Sequence, residues 1–234
     1  MSDPPQSDQP QSDPPQPDQP QSDPPKSDPA WLSWGREIQA IAQTGLAFSK
    51  DPYDLDRFAT LRRLAVRIMA EHTGAELGRI ETLFDAEAGY ATPKVGVRAA
   101  VFDASGRILM VRETADDHRW TLPGGWAETN QTPAQSVTRE VFEESGYHVR
   151  PVKLAAVWDR ARQAQPPTLF SVVRMFFVCA LQGGSATTSL ETSEIGWFAE
   201  ADVPAELSLR RTLPSQISRM FAHWRDPGLA TEFD

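Results

Sequence analysis

The sequence has little cysteine, no excess of positive charge and no long apolar run. The single cysteine, Cys179, excludes an intramolecular disulfide and fits a reducing compartment. The 23 lysines and arginines against 32 aspartates and glutamates leave a net charge of −9, so the electrostatic footprint of a nucleic-acid-binding protein is missing. The apolar run 168–181 contains Arg174 and is too short to span a membrane. These features predict a cytoplasmic protein with a small-molecule partner and neither nucleic acid nor membrane.

The first 29 residues repeat a five-residue unit of serine, aspartate, proline and glutamine. They hold ten of the 20 prolines and no apolar residue after Met1. Such a composition buries too little apolar surface to offset the entropy lost on ordering. We therefore expect residues 1–29 to form a disordered tail. The alternative, a ligand for a proline-binding partner, lacks flanking arginines.

Residues 30–92 have helical spacing and are expected to form a small helical domain. Trp31, Trp34, Ile38 and Ile41 fall at three- and four-residue steps, which predicts one inward-facing stripe. Asp51 followed by proline is typical of a second helix start. A core of two or three helices is marginal alone, so the unit is expected to pack on another domain or on a second copy.

Residues 93–234 change to strand patterns. Apolar residues alternate over 95–102, and further strands are predicted around 149–160 and 169–182. One helix is predicted inside this region, from Thr132 to Glu144, and one near its end, at 214–224. Strands dominate, so the fold class is α+β with a mixed sheet.

Three glutamates of the internal helix fall on one edge of its apolar stripe. Glu140, Glu143 and Glu144 span an arc of about 100°. Three like charges so placed repel one another, and a hard divalent cation such as Mg²⁺ or Mn²⁺ removes that conflict. Arg139 lies four residues before Glu143 and is placed to orient it. The alternative is an ordinary solvated helix face.

The stretch GGWAETNQTPAQSVTREVFEESGY resembles the signature of the Nudix hydrolases. The residues at the required spacing are Gly125, Arg139, Glu140, Glu143, Glu144 and Gly146. Two other positions carry residues that differ from the signature. Gln131 replaces the first glutamate of the signature, and Tyr147 replaces its last aliphatic residue. The resemblance implies a mixed sheet between helices over 93–234.

The resemblance also implies a reaction and a metal site. Nudix enzymes hydrolyse nucleoside diphosphates linked to another group, with Mg²⁺ or Mn²⁺ as cofactor. In this sequence the metal ligands would be Glu140, Glu143 and Glu144, with the Gly125 carbonyl as a further ligand. A non-catalytic nucleotide-binding or regulatory Nudix domain is the alternative, which Gln131 slightly favours and the intact glutamates disfavour.

The general base and the substrate-binding residues are less narrowly defined. Nudix bases often lie on a late loop, where Glu194 is the first choice and Glu191 the second, unless a helix glutamate serves or both are solvated. Arg98 and Arg112, on the two strands of the first hairpin, are candidates to bind diphosphate oxygens, with surface salt bridges as the alternative. Trp126 and Trp158 are candidates to stack on a base, with core packing as the alternative.

Segments outside the signature indicate which group of Nudix enzymes the sequence resembles. The helical leader from Trp31, and the stretches VWDRARQAQPPTLF and ETSEIGWF, are similar to Nudix pyrophosphatases for ADP-ribose or CDP-choline. This similarity implies a helical N-terminal domain that helps to form a homodimer.

Overall fold

The computed structural model describes residues 28–234, so the tail predicted for residues 1–29 lies almost wholly outside the described residues. The described chain begins with three helices, α1 (Ala30–Phe48), α2 (Pro52–Thr73) and α3 (Leu77–Asp85). Asp51 caps α2 by accepting the backbone N–H groups of Tyr53 and Asp54, and Gly74 ends the helix in the left-handed conformation. The helical character predicted for this region is confirmed.

The inward face of α1 differs from the predicted stripe. Trp34 and Ile41 are 61% and 49% exposed, whereas Leu32, Gly35 and Ala42 are buried. The reason is the close approach of α1 to α2, which leaves little room: a Cβ on Gly35 would lie 2.6 Å from the Cε of Met69. Small residues therefore occupy the contact, and two of the large apolar side chains turn outward.

The remainder forms a seven-stranded mixed sheet, which confirms the α+β class. The strand order is β3-β2-β1-β5-β4-β7, and β6 pairs with β2. The strand bounds are β1 (Lys94–Phe102), β2 (Ile108–Glu113), β3 (Arg119–Thr121), β4 (Tyr147–Asp159), β5 (Val172–Gly184), β6 (Thr192–Phe198) and β7 (Glu232–Phe233). The pairs β1–β5 and β4–β7 are parallel and the others are antiparallel.

Helices cover both faces of the sheet. The helix α4 (Pro133–Ser145) packs Val137 and Val141 on one face, and α5 (Pro214–Arg225) packs Ile217 and Phe221 on the other. The three N-terminal helices have a separate core, which also includes Phe170 from the loop before β5. None of the helices in residues 28–234 is long and apolar enough to cross a membrane.

The sheet opens between its first two strands. β1 and β2 pair at Phe102 and Ile108, next to the turn that joins them. Further along β1, the loop between β3 and α4 takes the place of β2, because the backbone N–H groups of Val97 and Ala99 donate to the carbonyls of Gly125 and Pro123. This opening brings the loop and α4 together at one side of the sheet.

Candidate active site

The helix that carries the three glutamates is fixed at both ends. Thr132 and Gln135 form a reciprocal capping box, in which each side chain accepts the other residue's backbone N–H. Pro133 occupies the first turn, and Gly146 ends the helix with φ 73°. These local signals define where α4 starts, and hence which side chains it turns toward the loop.

Two glycines bring the loop backbone against the α4 carboxylates. Gly124 has φ 143°, and a Cβ there would lie 2.1 Å from the carbonyl oxygen of Val97. A Cβ on Gly125 would lie 2.6 Å from the Oε2 of Glu140. A side chain at position 124 would push the loop away from the strand, so glycine is required there, whereas a Cβ at position 125 would displace the Glu140 carboxylate.

Glu144 is the most deeply buried of the three glutamates. It is 3% exposed, and its Oε2 accepts the backbone N–H of Gly124 at 2.8 Å. Burial raises the pKa of Glu144 to about 8, with further upward contributions from Glu140 and Glu113, against downward ones from Arg98 and the Gly124 N–H. The carboxyl therefore lies in a place where a cation would relieve both burial and repulsion.

Arg139 holds the other two glutamates. Its guanidinium donates to Glu140 at 2.8 Å and to Glu143, and it also lies 3.9 Å from Glu128. Its Nε donates to the side-chain oxygen of Gln131 at 3.3 Å. Burial raises the pKa of Glu140, and Arg139 opposes that shift. The arginine thus occupies the space between these carboxylates.

The donor set fits a hard divalent cation by type, although the present arrangement is the one that Arg139 imposes. Within residues 28–234, no three acidic, histidine or cysteine side chains are arranged to hold a metal ion. The glutamate oxygens are nevertheless the ligands that Mg²⁺ and Mn²⁺ prefer, and the missing Cβ of Gly125 leaves its backbone open beside Glu140. Displacement of Arg139 would free Glu140 and Glu143.

These residues line a cleft of about 740 Å³ with acidic and basic walls. The acidic side chains are Glu113, Asp116, Glu128, Glu140, Glu143, Glu144 and Glu191, and the arginines are Arg98, Arg139, Arg160, Arg174, Arg210 and Arg211. The cleft is of the size typical of small-molecule sites. An anionic ligand would match these walls if it contacted the arginines directly and the carboxylates through a bound cation.

The two candidate general bases, Glu191 and Glu194, have different surroundings in the structure. Glu191 lines the cleft. Glu194 pairs with Arg112 at 2.9 Å, as its register partner across β6 and β2, and neither of these two residues lines the cleft. Arg112 also donates to the carbonyl of His118. The structure therefore does not bring Glu194 or Arg112 to the α4 glutamates, and Arg112 makes the surface salt bridge that was the alternative for it.

Arg98 lies inside the cleft wall. It is buried, and its guanidinium donates to the carbonyls of Leu122 (3.1 Å) and Gly124. Burial lowers its pKa to about 10, while Glu144 opposes the shift. Arg98 therefore supports the glycine loop and places a positive charge next to Glu144.

Sequence reasoning did not single out three further charged residues that line the cleft, Glu113, Arg174 and Arg211. Glu113 ends β2, is buried, and pairs with Arg211 at 2.8 Å, while its Oε2 has no hydrogen-bond partner within the described chain. Arg174 interrupts the apolar run that became β5. For Glu113 and Arg174 the available signal was a charged residue inside a buried strand, whereas Arg211 lies in the segment before α5 and gave no such signal.

The two tryptophans of interest have different surroundings. Trp158 is buried against Phe176, with ring centroids 5.0 Å apart. Trp126 is 52% exposed and lines the cleft beside Gly125. Trp126 is therefore the one of the two that is open to a ligand.

Comparison with known proteins agrees with this geometry. Residues 29–84 match a family described as a UDP-X-like, N-terminal oligomerisation domain, and residues 92–220 match the NUDIX domain. YjhB of Bacillus subtilis (strain 168), provisionally named an ADP-ribose pyrophosphatase, is 41% identical over 87% of this chain and 97% of its own.

Two solved structures are also similar. A crystal structure of an ADP-ribose pyrophosphatase from Streptococcus suis matches with a TM-score of 0.53 and 31% identity, over 61% of this chain and 100% of that one. A crystal structure of a UDP-X diphosphatase matches with a TM-score of 0.56 and 27% identity, over 87% and 98%. The fold, the glutamate helix and these matches together place the chain in the Nudix hydrolase family.

Proposed function

We propose that this Nudix hydrolase cleaves the diphosphate of ADP-ribose, with water and Mg²⁺ or Mn²⁺, to give AMP and ribose 5-phosphate. The observation that carries the proposal is the gathering of Glu140 and Glu144 against the Gly124–Gly125 backbone in a cleft that also presents arginines. The choice of ADP-ribose is supported by the names of the Bacillus and Streptococcus relatives.

The metal would be held by Glu140, Glu143 and Glu144 with the Gly125 carbonyl. When bound, it supplies neutralisation of the diphosphate charge and activation of the attacking water. Arg139 would position the glutamates, and Arg98 would support the loop and add positive charge for the diphosphate. Glu191 is the proposed general base, because it lines the cleft while Glu194 is paired with Arg112.

We expect the enzyme to be a cytoplasmic homodimer. Trp34, Ile41 and Phe48 are exposed and follow one another at seven-residue steps along α1, so they form one apolar ridge. The matching N-terminal family is described as an oligomerisation domain, which supports a second copy of the chain as the occupant of the ridge. Replacing Trp34 and Phe48 together by serine is expected to shift the sedimentation-equilibrium mass toward the monomer.

The test of the activity is a substrate panel with each metal. ADP-ribose, UDP-glucose and CDP-choline are incubated with the full chain and Mg²⁺ or Mn²⁺, and the nucleoside monophosphate product is measured. We expect the highest kcat/KM for ADP-ribose and no hydrolysis in EDTA. UDP-glucose is the second candidate, because the UDP-X diphosphatase fold spans 87% of this chain. Failure to hydrolyse any member with either metal would favour the non-catalytic alternative.

A further inference from the structure

A groove of about 810 Å³ lies at the opposite end of β1 and β5 from the active-site cleft. The cleft is lined by Gly96 and Arg98 of β1, whereas the groove is lined by Phe102 of the same strand. Phe102 comes six residues after Gly96, which corresponds to about 20 Å along a strand. None of the groove residues lines the cleft. The groove and the cleft are therefore separate sites.

A bulge in β4 turns a lysine into this groove. Pro151 pairs with Cys179, and Lys153 pairs with Val178. The strand therefore has one extra residue, Val152, between the two pairs. Without the bulge, Val152 would pair with Val178 and the lysine would point to the other face of the sheet. The side chain of Lys153 instead shares a face with Val178, and both residues line the groove.

The walls of the groove are mainly apolar and aromatic. Trp224, near the end of α5, stacks on Phe102 with the ring centroids 5.3 Å apart, and it is 39% exposed. Val152 is also exposed, while Val178 is buried beneath them. An indole face that is open to solvent beside apolar side chains is suited to a planar aromatic ligand.

His223 contributes an unmet hydrogen-bond acceptor to the groove. It lines the groove and is 1% exposed. Its Nε2 lies 3.0 Å from the Glu232 carboxylate, whereas its Nδ1 has no hydrogen-bond partner within residues 28–234. Burial lowers the pKa of His223 against the effect of Glu232, and Lys153 and Arg219 lower it further, so the imidazole is neutral at pH 7. A neutral imidazole that donates from Nε2 to a carboxylate keeps a lone pair on Nδ1, which accepts an O–H or N–H group.

Lys153 supplies a positive charge that has no ion-pair partner within the described part of the chain. Its Nζ donates to the Pro227 carbonyl at 3.0 Å, which leaves two ammonium donors. Asp103, the other charged residue of the lining, is already neutralised, because it pairs with Arg107 at 2.7 Å and also accepts backbone N–H groups. The effect of Lys153 on the pKa of His223 shows that the two polar groups are neighbours. The groove therefore favours an anion beside a hydrogen-bond donor.

We propose that this groove binds an aromatic acid that carries a hydroxyl or N–H group. The acid would contact the Lys153 ammonium, the hydroxyl or N–H group would donate to Nδ1 of His223, and the ring would lie against Trp224. Such a ligand would bind in addition to the substrate of the cleft, because the two sites share no residue. The site does not depend on the proposed hydrolysis.

The first test is titration of the full chain with matched small probes, followed by ligand-observed NMR. The probe 3-(4-hydroxyphenyl)propionate carries both polar groups, 3-phenylpropionate lacks the hydroxyl, and tyramine has an ammonium in place of the carboxylate. We expect saturable binding of the first probe and at least about fivefold weaker binding of each of the others, because each loses one polar contact. Equal affinities for the probes, or no saturable binding of the first probe up to about 10 mM, would overturn the proposal.

The second test locates the binding with variants of β4. Lys153→Gln should weaken binding of 3-(4-hydroxyphenyl)propionate at least about fivefold. Val152→Glu adds a carboxylate at an exposed position of the groove and should also weaken binding, which keeps the test valid if Lys153→Gln does not fold. The matched control is Arg150→Gln, which removes an exposed cation from the same strand outside the groove lining and should bind as the native chain does.

Native affinity in both groove variants would mean that the probe binds elsewhere, for example at the arginines of the cleft, and would overturn the proposal. Equal weakening by Arg150→Gln would overturn it as well, because the effect would then be one of net charge. Since no step uses the α4 glutamates, the outcome is independent of whether the chain hydrolyses ADP-ribose.

Discussion

Glu144 of helix α4 accepts the backbone N–H of Gly124 at 2.8 Å, and this contact joins the glutamate helix to the loop that fills the gap beside β1. The loop reaches Glu144 only because Gly124 has φ 143° and no side chain. Gly124 therefore contributes both to the stability of the fold and to the geometry of the site.

Replacement of Gly124 by alanine is expected to destabilise the protein more than a backbone-matched control. The control is Gly183→Ala, since Gly183 has φ 149° but nothing within 4 Å of its Cβ position. Both variants strain the backbone, while only Gly124→Ala also forces a Cβ to 2.1 Å from the Val97 carbonyl. Denaturant unfolding should show an additional loss of about 1–3 kcal/mol. Equal losses would mean that the loop shifts freely away from β1.

The glutamate helix could be predicted from sequence because its signals are local. Thr132, Pro133 and Gly146 set its ends, and the three- and four-residue spacing sets which carboxylates share a face. The choice between Glu191 and Glu194 could not be predicted in this way. It depends on how β6 pairs with β2, where the register shifts between Arg112 and Glu113.

The arginines of the cleft could not be predicted from sequence for a related reason. Arg160, Arg174 and Arg210 are far apart in sequence and come together through the pairing of β4 with β5 and through the segment before α5. The prediction that Trp34 and Ile41 face inward was wrong, because apolar size does not report how closely two helices approach, whereas Trp31 and Ile38 pack against the N-terminal core as predicted. Non-local contacts decide both features.

Gln131→Glu is expected to tighten metal binding. In the native chain the Gln131 oxygen accepts from Arg139, which also holds Glu140 and Glu143. A carboxylate at 131 should draw Arg139 toward itself and leave the two glutamates freer for Mg²⁺. A Mg²⁺ titration of the initial rate should show an apparent constant about tenfold lower. A constant that is unchanged or higher would show that Arg139 does not compete with the metal.

Asp28→Asn is expected to lower the free energy of unfolding by about 3 kcal/mol, because it leaves Arg36 in a buried site without its counter-charge. The Asp28–Arg36 pair is almost fully covered, and Arg36 also donates to the Thr168 carbonyl. Asp54→Asn is the control, since the Asp54–Arg57 pair is exposed and should contribute little. Similar denaturation midpoints for the two variants would show that the Asp28 pair is not formed in solution.

The thiol of Cys179 is expected to be unreactive in the folded protein. Burial raises its pKa to about 12, so at pH 8 the thiolate fraction is on the order of one in 10⁴. An aromatic disulfide reagent should modify the unfolded chain at pH 8 at least about 100-fold faster than the native chain, because an exposed thiol has a pKa near 8.5. Comparable rates would mean that β5 opens readily.

The most direct measurement is the rate of AMP release from ADP-ribose with saturating Mg²⁺ by the native protein, by Glu144→Gln and by Glu81→Gln. Glu81 is exposed on α3 and does not line the cleft, so it serves as the matched control. Loss of the Glu144 carboxylate should lower kcat at least about 100-fold, because charge stabilisation in the transition state is removed, while Glu81→Gln should retain native turnover. Near-native turnover by a folded Glu144→Gln protein would contradict the assignment of the α4 glutamates to metal-dependent hydrolysis.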